Sequence, residues 1–153
     1  ISASLVALDV GGTVINQGMS DAWFNPATGG QGFFIIAWPE LQSIFLSWFT
    51  YDTERPPSDV VANLGEPGHR WLTAQGPYSG NTANLEVFLT HGGVFDSASP
   101  APGTTDPIGT ISITWPDCEN AELTYDLPSL GLGGDIDLIR IVSDNVPLCE
   151  ALQ

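Results

Sequence analysis

The second half of the chain alternates apolar and polar side chains, position by position. The alternation runs through residues 82–90, 110–115, 121–127 and 135–138. Successive side chains of a strand point to opposite faces of a sheet, so this pattern predicts strands with one buried and one hydrated face. Gly, Pro, Asn and Ser lie between the segments and predict turns. The second half is therefore expected to form an antiparallel sheet.

The first half is apolar on both faces of its predicted strands. Residues 33–38 and 41–51 carry aromatic and branched apolar side chains at odd and even positions alike. The preceding Trp23-Phe24 pair and an Asn-Pro turn predict a hairpin or a strand-loop-strand corner. Because an antiparallel sheet normally leaves one face to water, we expect a loop, another subunit or a ligand to cover the additional apolar face.

Together these segments predict an all-β fold, either an antiparallel β-barrel or a β-sandwich. The Pro-rich stretches 52–68 and 97–107 predict long loops, and residues 69–78 predict a further strand. A chain of 153 residues is long enough for one domain with its own core. We expect residues 17–153 to form that single β domain, preceded by an apolar N-terminal strand over residues 1–16.

The N-terminal segment carries a single charge, Asp9, in its first 16 residues. A strand this apolar is expected to be buried on both faces. Two interpretations stay open, namely the first strand of the protein's own sheet and an arm that completes a neighbouring subunit's sheet by donor-strand assembly. The predicted assembly strand consists of Leu5, Val6, Leu8, Val10 and Val14.

The charge balance is strongly acidic. The chain has 18 Asp and Glu residues against Arg55, Arg70 and Arg140, and a formal net charge of −15. Such a surface repels polyanions, which excludes nucleic acid and anionic membranes as partners. No apolar run is long enough to insert into and cross a membrane. The three arginines are expected to pair with neighbouring carboxylates.

The two cysteines, Cys118 and Cys149, have no Cys-x-x-Cys spacing and no neighbouring His. They therefore predict one disulfide rather than a zinc site. A disulfide closing a loop of this length stabilises by about 3–4 kcal/mol in the chain-entropy model and implies an oxidising compartment. We expect a secreted or cell-surface protein whose signal peptide has been removed.

Catalytic motifs do not stand out. The sequence contains neither Gly-x-Ser-x-Gly nor His-x-x-x-His, and no carboxylate pair is set apart as a glycosidase pair. We therefore predict a protein that is not an enzyme. Calcium is the one cofactor left open, because a loop that places two carboxylates two residues apart can chelate it. The candidate ligands are Asp52 and Glu54.

The five tryptophans raise the alternative of carbohydrate or small-ligand binding by ring stacking. Four of them lie in strongly apolar stretches, where a core position is the default: Trp23, Trp38, Trp48 and Trp115. The fifth, Trp71, follows His69 and Arg70 directly after a Gly-Glu-Pro-Gly turn. We predict these three residues as the candidate ligand-binding set.

Several longer stretches resemble an uncharacterised domain of secreted and cell-surface bacterial proteins. They are Trp23-Phe24-Asn25-Pro26 with Gly30-Gln31-Gly32-Phe33, Trp48-Phe49-Thr50-Tyr51-Asp52, Gly65-Glu66-Pro67-Gly68-His69-Arg70-Trp71-Leu72-Thr73 and Gly92-Gly93-Val94-Phe95-Asp96. The positions of Cys118 and Cys149 also fit, so the resemblance runs from about Ile15 to the end. It implies an extracellular, β-rich domain with no known activity. The chain departs from it in its apolar N-terminal arm, which favours a free-standing subunit.

The sequence thus predicts a secreted, non-enzymatic structural protein that associates with itself. The expected form is an extracellular filament subunit joined to the next by exchange of the N-terminal strand. The alternative is an extracellular module that binds a carbohydrate or another small ligand. Removal of residues 1–15 would separate the two, because it should abolish assembly and leave ligand binding intact.

Overall fold

The alternating segments of the sequence form the strands of a barrel in the computed structural model, which describes residues 12–153. Three short 3₁₀ turns at Gln17–Met19, Pro39–Leu41 and Pro128–Leu130 accompany the strands. The elements are β1 (Asp21–Phe24), β2 (Gly32–Trp38), β3 (Ser43–Tyr51), β4 (His69–Ser79), β5 (Thr82–Phe88), β6 (Thr90–His91), β7 (Gly103–Thr104), β8 (Gly109–Thr114), β9 (Asn120–Leu127), β10 (Leu132–Arg140) and the helix α1 (Val146–Ala151).

Eight of these strands close into one antiparallel barrel in the order β1-β10-β9-β8-β5-β4-β3-β2. The short strands β6 and β7 pair with each other in a separate ribbon. The predicted all-β fold is confirmed, and of the two predicted architectures the chain adopts the barrel. The hairpin predicted around the Asn-Pro turn is confirmed as the antiparallel pair β1–β2.

The alternation decides which side chains fill the barrel. In the second half, the predicted inward positions are buried at Ala83, Leu85, Val87, Ile111, Ile113, Ala121, Leu123 and Leu138. In β2, the inward positions are Phe33, Ile35 and Ala37, so the other apolar set of this strand faces outward. The predicted core position of Trp38 is therefore wrong, because the two-residue period of the strand leaves its ring 41% exposed.

One end of the barrel, which we call the closed end, is filled by side chains and by the disulfide. Trp23 and Trp115 are fully buried there with ring centroids 6.3 Å apart in an edge-to-face arrangement. The predicted disulfide is confirmed, since Cys118 is bonded to Cys149 of α1 with a Cα–Cα distance of 5.9 Å. Met19 packs beside them and is also fully buried. The opposite end, the open end, leads into a cavity.

The predicted N-terminal strand is only partly described. Leu5, Val6, Leu8 and Val10 lie outside the described residues. Residues 12–16 are not in a strand, so the prediction of one continuous strand over residues 1–16 is wrong for that part. The physical reason is that Val14 and Ile15 are held at the closed end by Gln153 Oε1 and by the Gly80 carbonyl, at 2.6 and 2.9 Å from their backbone nitrogens.

In the part of the chain that the structure describes, no helix is both long enough and apolar enough to cross a membrane.

The Arg pairing predicted from the sequence is confirmed for two residues. Arg70 Nη2 lies 2.7 Å from Asp52 Oδ2, and Arg140 Nη1 lies 2.6 Å from Asp21 Oδ2.

Candidate functional site

A cavity of about 590 Å³ enters the barrel from the open end. Eight-stranded barrels are just wide enough either to fill with side chains or to hold one small ligand, and this one is filled at the closed end and hollow at the open end. Its wall is mostly apolar and includes Phe33, Trp48, Leu72, Ile108, Tyr125, Leu127, Leu132 and Ile136. The fully buried rings of Trp23 and Trp115 fill the closed end, and the cavity occupies the rest of the barrel interior.

Three stacked and crossed rings form the floor of the cavity. The ring centroids of Phe33 and Trp48 are 5.2 Å apart in a stacked arrangement, and those of Trp48 and Tyr125 are 5.2 Å apart in an edge-to-face arrangement. Among the described residues, Trp115 Nε1 is the one buried side-chain nitrogen or oxygen without a hydrogen-bond partner. Two further groups, Trp48 Nε1 and Tyr125 Oη, are not among the fully buried atoms and form no hydrogen bond within the described chain. Both side chains line the cavity. They are hydrogen-bond donors that a ligand can reach.

The rim of the cavity is polar. The Asp52–Arg70 ion pair stands at its mouth with both side chains more than 40% exposed. Thr50 Oγ1 donates a hydrogen bond of 2.6 Å to Gln31 Oε1 between β3 and the loop that precedes β2. The arrangement is that of an apolar pocket with a few polar groups at its entrance, as in small-molecule sites generally.

The candidate ligand-binding residues from the sequence are brought together on the outside of the barrel, and of the three Arg70 alone also lines the cavity. His69, Arg70 and Trp71 are consecutive in β4, so their side chains alternate between the two faces of the sheet. Arg70 reaches the rim of the cavity, whereas Trp71 lies on the outside of the barrel and is 49% exposed. The three share a shallow outer depression of about 290 Å³ with Phe49 and Tyr51.

The predicted calcium ligands, Asp52 and Glu54, both line a depression beside the loop after β3. Asp52 is engaged by Arg70 and accepts the backbone N–H of Thr53 at 2.8 Å. Within residues 12–153, no group of three or more His, Cys, Asp or Glu side chains is arranged to hold a metal ion. Calcium binding stays a prediction.

The seam between β1 and β10 is a second feature with functional consequences. The pairing in this seam is short and consists of the register pairs Trp23–Arg140 and Phe24–Ile139. It cannot extend along the whole of β10, because β1 has four residues and β10 has nine. In the described part of the chain, no strand pairs with residues 132–138 on the side that faces β1. Unpaired strand edges are templates for another strand.

The direction of the free backbone groups follows from the seam. Ile141 donates its N–H to the Ala22 carbonyl at 3.0 Å, which fixes the side to which odd-numbered residues of β10 direct their backbone groups. Alternate residues of a strand bond to the same side. Gly133, Asp135 and Asp137 therefore direct their N–H and C=O groups to the free side, where the described residues offer no backbone partner.

A third feature is an apolar patch on the outside of the barrel, which we call the outer aromatic face. Phe34 is 55% exposed and lies edge-to-face on Phe49 at 5.3 Å between centroids. Neither β2 nor β3 contains a charged residue. Contiguous exposed apolar surface of this kind marks an interaction site in soluble proteins. The members of the face are Phe34, Ile36, Trp38, Phe45, Phe49 and Trp71.

Sequence reasoning missed the cavity and the β10 edge. Trp48 and Tyr125 read as core residues, because an inward position in a strand is the same in sequence whether it meets another side chain or a void. The short β1 was the available signal for the edge. Four residues between Ser20 and the Asn25-Pro26 turn cannot pair with the whole of a nine-residue strand.

Comparison of the chain with protein-family models, with curated proteins and with solved structures found no match. The features of the chain that bear on its function are the cavity, the β10 edge and the outer aromatic face.

Proposed function

We propose that this protein is a structural subunit that assembles head to tail outside the cell, and that it is not an enzyme. In this proposal the apolar N-terminal segment of one copy, residues 1–11, adds as a strand to the free side of β10 in the next copy. The single observation that supports it best is the edge of residues 132–138, which the described chain leaves without a strand partner. Such strand addition gives affinity through backbone hydrogen bonds.

Donor and acceptor are complementary in chemistry. The segment contains Leu5, Val6, Leu8 and Val10 and one charge, so its side chains gain from leaving water. On the acceptor, Ile136 and Leu132 line the cavity beside the free edge. Alternate side chains of the added strand would face these residues and complete the barrel wall.

Strand direction favours a second copy over the protein's own segment. Thr13 Oγ1 donates to the Pro116 carbonyl at 2.9 Å, so the point at which the segment joins the described chain lies at the closed end. β10 runs from the open end to the closed end. A segment rising from its own closed end would lie parallel to β10, whereas every pair in this barrel is antiparallel. A copy stacked with its closed end on the next copy's open end supplies an antiparallel strand.

Head-to-tail contact of this kind is heterologous, and it produces filaments when the rotation from one copy to the next does not close a ring. The outer aromatic face supports self-association as well, because it is a charge-free region on a chain with a net charge of −15. Repulsion between copies makes assembly depend on salt. Raising the ionic strength from about 0.01 M to about 0.15 M shortens the screening length from ~30 Å to ~8 Å and should promote assembly.

An extracellular location is part of the proposal. The Cys118–Cys149 disulfide persists in oxidising compartments and is reduced in the cytosol of most organisms. A strongly acidic surface is compatible with free solution outside the cell.

The proposal is tested with two variants that each lose one half of the contact. Deleting residues 1–11 removes the donor and keeps the β10 edge. Asp137→Pro removes an N–H from the free side of β10 while the β9–β10 hydrogen bonds remain, since proline is tolerated at sheet edges. Asp137→Asn is the matched control, because it loses the same charge and keeps the N–H. Light scattering and negative-stain images report the particle mass.

We expect filaments for the full chain and for Asp137→Asn, and monomers for each of the other two variants. An equimolar mixture of the deletion variant and Asp137→Pro should form dimers and nothing larger, because one supplies the donor and the other the acceptor. Circular dichroism and tryptophan fluorescence verify that each variant is folded. A full chain that stays at 16.2 kDa at every salt concentration, or filaments that survive the deletion, would contradict the proposal.

A further inference from the structure

The geometry points to a second function at the open end: the barrel cavity binds a small, flat, uncharged molecule that carries a hydrogen-bond acceptor. This inference rests on the interior of the barrel, whose residues Leu132 and Ile136 would also face a strand added to β10, so binding and assembly are measured on the same samples. Its residues are not those that the sequence indicated, because Trp71 and His69 lie on the outside and Trp48 and Tyr125 lie within.

Size and lining indicate the class of ligand. A cavity of about 590 Å³ falls within the range of about 300–1,000 Å³ that small-molecule pockets occupy. The stacked pair Phe33–Trp48, 5.2 Å apart, presents flat ring surface on one side. Leu72 and Ile136 line the cavity as well and add branched apolar surface. A flat aromatic or polycyclic molecule has the shape for these walls, since rings prefer offset or edge contacts with other rings.

The polar content of the cavity indicates an acceptor on that molecule. Trp48 Nε1 is a donor and cannot accept, and Tyr125 Oη can do either. The two rings are 5.2 Å apart, so one carbonyl or ether oxygen placed at their edges can accept from the indole N–H. A donor group inside an apolar cavity raises the affinity for a ligand whose acceptor bonds to it. It lowers the affinity for a ligand that displaces water from the donor without forming that hydrogen bond.

Charge narrows the class further. The apolar wall disfavours any charged ligand, because a charge that leaves water without a partner is costly. At the rim, Asp52 and Arg70 already neutralise each other. Asp135, also at the cavity, accepts a hydrogen bond of 2.7 Å from Thr124 Oγ1. The net charge of −15 adds repulsion for anions. An uncharged ligand avoids both the cost of removing a charge from water and the repulsion by the acidic surface.

Three related probes separate these features when titrated into the full-length chain by fluorescence. Prodan is a neutral naphthyl ketone, its parent, 2-propyl-6-(dimethylamino)naphthalene, has a CH₂ group in place of the carbonyl, and the corresponding naphthoate is an anion. We expect Prodan to bind saturably at one molecule per chain with a blue-shifted emission. The parent should bind about five-fold more weakly, as expected for one lost hydrogen bond, and the naphthoate more weakly still.

Three variants test whether the probe binds in the cavity. Trp48→Phe keeps a ring and removes the donor, so it should reduce the preference for Prodan over the parent to about one. Leu72→Trp fills the cavity and should abolish saturable binding of all three probes. Trp71→Ala on the outer aromatic face is the control and should change nothing.

Three outcomes would overturn the inference. They are the absence of saturable binding, equal binding of Prodan and its parent to the unmodified chain, and loss of binding in Trp71→Ala with retention in Leu72→Trp. The particle mass is recorded on the same samples. A failure of assembly and a failure of binding are therefore read independently.

Discussion

Arg140 and Asp21 form an ion pair of 2.6 Å at the seam where the first and last strands of the barrel meet. Both side chains are buried. The remaining guanidinium donors reach the carbonyls of Cys118 and Gly18 at 2.6 and 2.8 Å, and the guanidinium carbon lies 4.4 Å from the centroid of the Trp23 ring. One side chain thus joins β10, β1, the disulfide loop and the first 3₁₀ turn. A seam of two register pairs is sufficient to close the barrel because this cluster holds it.

The first prediction concerns this pair. Arg140→Met should lower the free energy of unfolding by about 3–5 kcal/mol, because it leaves the Asp21 carboxylate buried without a counter-charge and removes the donors of two carbonyls. Urea unfolding followed by circular dichroism measures the change, with the m-value checked for constancy.

The control is the double variant Asp21→Asn with Arg140→Met. It removes both charges and keeps Asp21's role as an acceptor, since the Ala22 N–H at 2.7 Å still has an oxygen to bond. The double variant should be more stable than Arg140→Met alone. A double variant as unstable as the sum of the two single ones would contradict the coupling.

The second prediction compares two buried tryptophans. Trp23 Nε1 donates to the Met19 carbonyl at 3.1 Å, whereas Trp115 Nε1 has no partner among the described residues. Each change to Phe reduces a fully buried ring and breaks the same edge-to-face contact. Trp115→Phe also removes an unsatisfied donor, while Trp23→Phe leaves a carbonyl without its partner. We expect Trp23→Phe to be more destabilising by about 1–3 kcal/mol.

The measurement is again urea unfolding of the two single variants and of the unmodified chain. Near-ultraviolet circular dichroism verifies that the four remaining tryptophans keep their environment in each variant. Equal loss of stability in the two variants, or a larger loss in Trp115→Phe, would show that Trp115 Nε1 has a partner in solution.

The fold was largely predictable because it depends on local patterns. A two-residue period assigns Leu85 and Ile111 to the interior whatever strands surround them. The same rule failed for Trp38, since it gives the two faces of an apolar strand without saying which one turns inward. The disulfide was predictable because the chain has two cysteines.

The site was much less predictable because it is made by distant residues. Arg140 pairs with Asp21, which lies near the other end of the chain. The sequence indicates a carboxylate partner for Arg140 without identifying it. The cavity exists because inward side chains of five strands do not meet, which is a property of barrel geometry and not of any segment. The β10 edge arises from the unequal lengths of two strands that become neighbours only when the barrel closes.

The third prediction concerns pH and the turn before β9. Asp117 Oδ1 accepts the backbone N–H groups of Glu119 and Asn120 at 2.7 and 2.8 Å, and the Asn120 side chain donates to both of its oxygens at 3.0 Å. Partial burial raises the pKa of this carboxyl, but the hydrogen bonds from Asn120 and from the two backbone groups outweigh it, so the pKa lies below its usual 3.8. A carboxyl whose pKa is lowered by folding stabilises the protein above its unfolded pKa of about 3.9, and the contribution disappears as the pH falls through the lowered value.

Asn120→Ala should therefore raise the pKa of Asp117 toward its usual value, because the two side-chain hydrogen bonds are lost and the backbone ones remain. Carboxyl chemical shifts followed by NMR measure this directly. The stability deficit of the variant should be largest near neutral pH and should shrink as the pH falls below the usual carboxyl pKa of about 3.9 and through the lowered one, because Asp117 then becomes protonated in both proteins. Glu119→Gln keeps its backbone N–H and serves as the control with the hydrogen bonds intact. A deficit that stays constant from neutral to acidic pH would mean that Asn120 acts through packing and not through the charge of Asp117.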